Sequence, residues 1–123
     1  MAKLTAEAKK MIAEFRPALV ATAGKDGKPN VCPKGSLRAL DDENLVFAEM
    51  GKVHTLANIK ENPKVNVLVF NPTTRTGMRI WGTAQIVESG YLFDAVRSAM
   101  AQAMKVDHVV KIKVEEEMPL KLG

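Results

Sequence analysis

The stretch NVCPKGSLRAL, residues 30–40, reads as a strand that interrupts itself. Its residues alternate well enough for an extended chain. Yet Pro33, Lys34 and Gly35 fill the middle, where a strand built only for packing would hold β-branched residues. Upstream, ALVATA (18–23) is a short apolar run followed by GKDGKP, and Asp26-Gly27 marks a hairpin because glycine accepts positive φ. Downstream, DDEN (41–44) turns the chain into LVFAEM (45–50). These segments predict a three-stranded antiparallel meander whose middle strand runs on to Leu40.

The rest of the chain alternates strands with short helices. Residues 5–15 predict a helix capped by Thr5, with Leu4, Ala8, Met11, Ile12 and Phe15 on one face and Pro17 ending it. Gly51 breaks the third strand, and HTLANIKEN (54–62) predicts a second helix, ended by Asn62-Pro63. KVNVLVF (64–70) is a β-branched strand, and NPTTRTG (71–77) is a polar turn. MRIWGTAQIVE (78–88) alternates, with Met78, Ile80, Gly82, Ala84 and Ile86 on one face and Arg79, Trp81, Thr83 and Gln85 on the other. Gly82 in mid-strand predicts a bend or bulge. Ser89 caps a third helix over 90–104, and HVVKIKV (108–114) is the last strand, with Glu115–Glu117 its solvated end. Six strands with short connections close most simply as a small antiparallel barrel with flanking helices, because closure removes exposed edges.

The totals set the class. The chain has 123 residues, enough for a single domain, here 1–123, with a core of its own. The formal net charge is +4, but Lys and Arg are interspersed with Asp and Glu, and only four Phe, Tyr91 and Trp81 are aromatic. That pattern argues against nucleic-acid binding. No apolar run has membrane length, and the N-terminal apolar residues are helically spaced rather than signal-like, so a cytoplasmic protein is expected. The single cysteine, Cys32, permits no internal disulfide and reads as a small core residue. No cluster has metal-ligand spacing, since His54 and His108 stand far apart.

Three features suit a ligand. In PKGS (33–36), Lys34 supplies charge, Gly35 admits backbone N–H groups and Ser36 offers a hydroxyl. Spacing alone favours a plain bulge with a solvated lysine there. In MGKVHTLANI (50–59), a helix starts near His54-Thr55, where unpaired N–H groups suit a phosphate, and Lys52 stands close by; an ordinary Thr-capped helix fits the same residues. On neighbouring strands of a meander, the two segments would meet. Arg79 and Trp81, two residues apart on one face, could sandwich a planar ligand or be covered by a helix.

The segments RPALVATAGKDGKPNVCPKGSLRALDDENLVFAEM (16–50), HTLANIKENPKVNVLVF (54–70) and MRIWGTAQIVE (78–88) resemble the pyridoxamine 5'-phosphate oxidase-like split-barrel family that binds flavin mononucleotide (FMN). The likeness spans roughly residues 12–114 and rests on P-x-V-x-P-K-G-S followed by T-L-A-N-I-x-x-N-P. It implies a mainly β (β plus α) fold, a six-stranded antiparallel split β-barrel with flanking helices. It implies a homodimer holding FMN at the subunit interface. On that resemblance Lys34, Ser36, His54 and Thr55 hold the phosphate. Glu49, Met50 and Gly51 line the ring or ribityl chain, and Val31, Cys32 and Pro33 flank the isoalloxazine. Lys52 or Arg79 supplies positive charge near the ring's N1/C2 edge, Trp81 lies on a strand that faces the cofactor, and Leu120 and Leu122 reach it from the other subunit's tail. Many relatives carry arginine where this chain has His54. The chain is also shorter than true pyridoxamine 5'-phosphate oxidases and has no match to their substrate-phosphate residues, so that vitamin reaction is not implied. The expectation is an FMN-dependent oxidoreductase with an unknown electron donor or small-molecule substrate. Alternatives are an FMN-carrying electron-transfer protein and a haem-handling split barrel. No catalytic residue is legible.

Overall fold

In the computed structural model, which describes residues 3–51, 54–100 and 104–122, the strand expected over 30–40 is two strands at opposite edges of one sheet. The elements are α1 (Ala6–Glu14), β1 (Ala18–Ala23), β2 (Pro29–Lys34), β3 (Arg38–Ala39), β4 (Asn44–Glu49), α2 (His54–Glu61), β5 (Lys64–Asn71), β6 (Thr76–Val87), α3 (Tyr91–Ala99) and β7 (His108–Lys121). The sheet order is β2-β1-β5-β6-β7-β4-β3, antiparallel throughout. The fold is thus mainly β with three helices, a curled half-barrel of split-barrel type. It has seven strands rather than six, and no meander links β1, β2 and β4. The physical reason is the Pro33–Ser36 interruption. Pairing with β1 stops at Lys34, the chain crosses Gly35–Leu37, and pairing resumes with β4 at Arg38.

Two bonds stitch the crossing to the far edge. The Ser36 hydroxyl accepts from the Ala48 N–H at 2.8 Å, and the same oxygen donates to the Ala48 carbonyl at 3.3 Å. Leu37 is buried in the core between them.

β6 and β7 form the longest ladder. Its register shifts where expected, between Trp81 and Gly82: Trp81 faces Glu116, whereas Gly82 faces Val114. Glu115 is the extra residue and reaches across to the Lys64 ammonium at 3.1 Å. β7 extends seven residues past the expected end at 114, so Glu115–Glu117 lie mid-strand. β6 supplies backbone partners as far as Thr76, and a paired strand tolerates exposed glutamates on its solvent side.

The inner face of the curl is filled by α1 and α2. Leu4, Ala8, Met11 and Ile12 of the α1 region, and Leu56 and Ile59 of α2, pack with Val20, Phe47, Val67, Ile80 and Ile112. Thr5 caps α1 as its sequence predicts: its Oγ1 accepts from the Ala8 N–H at 3.1 Å. It also ties the helix to β7, donating from its hydroxyl to Glu117 Oε2 at 2.7 Å and from its N–H to Oε1 at 3.0 Å. Thr5→Ala removes the cap and the tether, and should lower stability by about 1–2 kcal/mol in urea unfolding.

α3 starts one residue later than expected and without a serine cap. Its N-cap is Gly90 at φ 97°, where a side chain would be strained, and no side-chain bond is made there. Residues 101–103 of the expected third helix lie outside the described residues. Phe93 and Val96 of α3 cover Val46, Ala48 and Val109, forming a second cluster on the outer face of β4 and β7.

The DDEN turn is held by Asp41, which accepts from the Glu43 N–H at 2.8 Å and from the Asn44 amide at 2.9 Å. The Glu43 backbone bond, chiefly, holds the Asp41 carboxyl below the usual carboxylate range. A lowered folded-state value means this turn's contribution is present above the ordinary carboxylate range and is lost as pH falls through the lowered one. NMR titration of the Asp41 carboxyl should give a midpoint below that of a free aspartate, and Asn44→Ala should raise it.

The outer face of β2, β1, β5 and β6 carries none of these helical side chains. One row across it runs Pro33–Leu19–Leu68–Arg79–Met118 and a parallel row runs Val31–Ala21–Asn66–Trp81–Glu116. Val31 is 60% exposed and Met118 40%, so a broad apolar strip faces outward. Among the described residues no helix is long and apolar enough to cross a membrane.

Candidate functional site

Lys34 is the pivot of the site, and it is not a solvated lysine. It is 7% exposed and forms an ion pair with Oε1 of Glu49, itself 2% exposed. Its ammonium also lies 5.4 Å from the Phe47 ring centroid. Two charges this deep are stable only as a pair, because each offsets the other's loss of water. The second carboxylate oxygen, Glu49 Oε2, is buried with no hydrogen-bond partner among the described residues.

β2 is one edge of the sheet and β4 lies next to the other, yet the sheet's curl brings Lys34 and Glu49 together across the seam. There they line a cavity of about 490 Å³ with Pro33, Gly35, Ser36 and Met50. Arg16, Arg38, Met100 and Met104 complete it, and none of these four was legible as a site residue. They come from three separate stretches, the end of α1, β3 and the segment after α3, so only tertiary closure makes them neighbours.

His54 lines a different cavity, of about 430 Å³, between α2 and the β1–β2 turn. Lys25, Lys28, Asn30, Asn58 and Glu61 surround it. The turn is fastened to α2 by the Lys25 N–H, which donates to Glu61 Oε1 at 3.2 Å, and by the Asn58 amide, which donates to Thr22 Oγ1 at 3.0 Å. The PKGS segment and the start of α2 therefore line two cavities rather than one end of a meander. Glu49 and Met50 line the first, and His54 lines the second. Gly51 turns the chain at φ 129°, and Lys52 lies outside the described residues. Thr55, in the first turn of α2, is fully buried, and its Oγ1 has no partner among the described residues.

The remaining expected residues divide between the two faces of the sheet. Cys32 is a half-buried free thiol on β2, and Val31 beside it faces outward. Arg79 stacks over Trp81, 5.7 Å to the ring centroid, and its Nη2 lies 3.1 Å from Met118 Sδ, while its Nε is buried without a partner among the described residues. Leu120 pairs with Gly77 near the end of β7, and Leu122 is exposed, its N–H bonded to the Arg75 carbonyl at 2.8 Å. Val31, Arg79, Trp81, Leu120 and Leu122 belong to the uncovered outer face, whereas Cys32 pairs with the buried Val20 on the inner one. Among the described residues no three His, Cys, Asp or Glu side chains are grouped to hold a metal.

Residues 4–121 match the family model described as pyridoxamine 5'-phosphate oxidase. The chain belongs to the pyridoxamine 5'-phosphate oxidase-like split-barrel family. A relative in Methanocaldococcus jannaschii, the uncharacterized protein MJ0282, is 36% identical over 126 residues, covering 98% of this chain and 83% of that protein. The crystal structure of HupZ from Group A Streptococcus is 32% identical, with a TM-score of 0.90 over 98% of this chain and 96% of that one. An FMN-binding protein from Syntrophomonas wolfei superposes with a TM-score of 0.81 over 94% of this chain and 84% of its own, at 18% identity. That last likeness is one of fold alone.

Proposed function

We propose that this member of the pyridoxamine 5'-phosphate oxidase-like family is a homodimeric FMN-binding flavoprotein that acts as an oxidoreductase. The observation that carries the reading is that Glu49 and Met50, at the end of β4, line a cavity suited to a ring, while His54, at the start of α2, lines one suited to a phosphate. At the phosphate end, the His54 side chain lies where the first turn of α2 leaves N–H groups unpaired. At the ring end, Pro33, Met50 and the Lys34–Glu49 pair offer an apolar wall and a hydrogen-bonding edge. The residues present fit the cofactor. Bound there, FMN would supply hydride or single-electron transfer, with the protein supplying position and electrostatics.

Lys34 changes role in this reading. Its charge is balanced by Glu49, so it orients the seam of the barrel and leaves the phosphate to His54 and the start of α2. The uncovered outer face supports the dimer. A strip containing Leu19, Val31, Leu68, Trp81 and Met118 is the kind of surface a second copy buries, and burying it would bring Arg79 and Leu122 toward the partner.

The test is direct. Freshly purified protein should be yellow and release FMN on denaturation, and FMN added to stripped protein should lose fluorescence on binding. His54→Ala should weaken that binding by about tenfold, the loss of one charge-assisted hydrogen bond. His54→Lys, which keeps a donor of positive charge at that position, should bind FMN more tightly than His54→Ala. Steady oxidation of NAD(P)H through the bound flavin identifies an oxidoreductase; a flavin reduced only by a protein donor identifies a carrier. A colourless product that takes up no FMN, or one with a haem spectrum, overturns the reading.

A further inference from the structure

A cation stands in the middle of the uncovered outer face. Leu19, Leu68 and Met118 share the row of Arg79, and Trp81 stands two positions on along the same strand. The Arg79 guanidinium lies over the Trp81 ring, and its Nη2 faces the Met118 thioether, a weak acceptor. Its Nε has no partner, and no carboxylate lies within salt-bridge range of it, among the described residues. Covering this strip with a purely apolar surface would leave an unpaired charge out of water, at a cost that opposes the contact. Whatever covers the strip must therefore bring an anion to Arg79.

The same face offers one. Glu116 stands opposite Trp81, diagonal to Arg79 across the β6–β7 ladder. It is exposed and makes no ion pair or hydrogen bond among the described residues, whereas its neighbour Glu115 is held by Lys64 and Thr83. Diagonal positions of a ladder lie about 7–8 Å apart. A twofold axis between them, normal to the sheet, lays each position on the other's counterpart. A strip with one uncompensated cation and one uncompensated carboxylate is then complementary to itself, the condition for an isologous interface.

We infer that a second copy of this chain covers the strip in a register set by two reciprocal ion pairs, Arg79 of each subunit with Glu116 of the partner subunit. This pairing rests on the homodimer proposed above and adds what fixes its register. It also assigns Arg79 to the interface and not to the flavin ring. The guanidinium's planar fork suits a carboxylate arriving from outside the sheet, while its stack on Trp81 holds it ready.

The experiment exchanges charges between two chains and reads their mass by analytical ultracentrifugation, on protein as purified. The wild-type chain should be a dimer. Arg79→Glu brings two carboxylates to each contact and Glu116→Arg brings two guanidiniums, so each variant alone should dimerise more weakly by about a hundredfold. Mixed in equal amounts, the two variants should form a heterodimer. Each new charge then meets its opposite on the other chain, although within either chain the two positions still repel. A pair closed inside one chain gives no such recovery. Circular dichroism checks that each variant keeps its sheet; should one lose it, Glu116→Gln, at an exposed position, should still weaken the dimer by about tenfold. Single variants that dimerise as tightly as wild type overturn the inference, and so do folded variants that stay monomeric when mixed. An Arg79→Glu protein that remains dimeric but loses its FMN also overturns it, since Arg79 then serves the cofactor. A monomeric wild-type chain refutes the homodimer and this pairing together, whereas FMN binding is judged separately from the visible spectrum of the same samples.

Discussion

Lys34→Met is expected to destabilise the protein by about 3–5 kcal/mol, and Glu49→Leu by a similar amount, because each leaves one charge buried without its counter-ion. The pair is 7% and 2% exposed, so solvent cannot stand in for the missing partner. The double variant Lys34→Met/Glu49→Leu removes both charges and keeps most of the volume. It should recover most of that loss, and it could exceed the parent, as buried pairs replaced by apolar groups sometimes do. Urea unfolding of the four proteins gives the coupling energy as a double-mutant cycle. Near-additive losses would mean that the two side chains do not neutralise each other, and the account of the seam would fail. The cycle also separates structure from binding. If the double variant is stable and still holds FMN, Lys34 is no phosphate ligand.

The second large effect belongs to Gly82. A Cβ there would lie 2.4 Å from the Lys113 carbonyl oxygen and 2.6 Å from Ile112 Cγ2. The oxygen is main chain in the neighbouring strand, so it cannot swing aside as a side-chain tip would. Gly82→Ala should cost about 3 kcal/mol, the upper end for overpacking, and should disturb the bulge that turns β6 at Trp81. Amide exchange should then rise for Gln85–Val87 and Val109–Ile112 relative to α1. Gly27→Ala, in the β1–β2 turn with open space around it, is strained only through its φ of 78° and should cost less.

Much of this architecture is legible in one dimension because it depends on near neighbours. The α1 face, the Thr5 cap, the inward set Met78, Ile80 and Ala84, and the bulge at Gly82 all follow from local spacing and glycine's missing side chain. The misreadings share a different origin. Nothing within residues 30–40 says that its two halves pair with strands on opposite sides of the sheet. The Pro33–Ser36 interruption marks where the strand breaks, but the partner of its second half is set by β7, which pairs with β4 and carries it to the far side of the sheet from β1. Likewise Lys34 reads as a surface charge until Glu49, fifteen positions on, arrives beside it across the seam. The cavity's two arginines were invisible for the same reason. Arg16 precedes Pro17 at a helix end and Arg38 sits in a two-residue strand, and neither position marks a ligand. The resemblance to the family singled out Glu49, but only packing gives it a charge partner and an empty acceptor.

The two ends of the sheet meet only after β1 has found β5 and β4 has found β7, pairings between residues distant in sequence. Whatever occupies the crevice at that meeting point therefore has no counterpart surface in the denatured chain. Its free concentration acts on the native state alone by mass action, so once that concentration exceeds the dissociation constant each further tenfold increase raises the unfolding free energy by about 1.4 kcal/mol. A melting temperature that climbs with added small molecule would thus report, from a single dye-based scan, that the seam has closed around it.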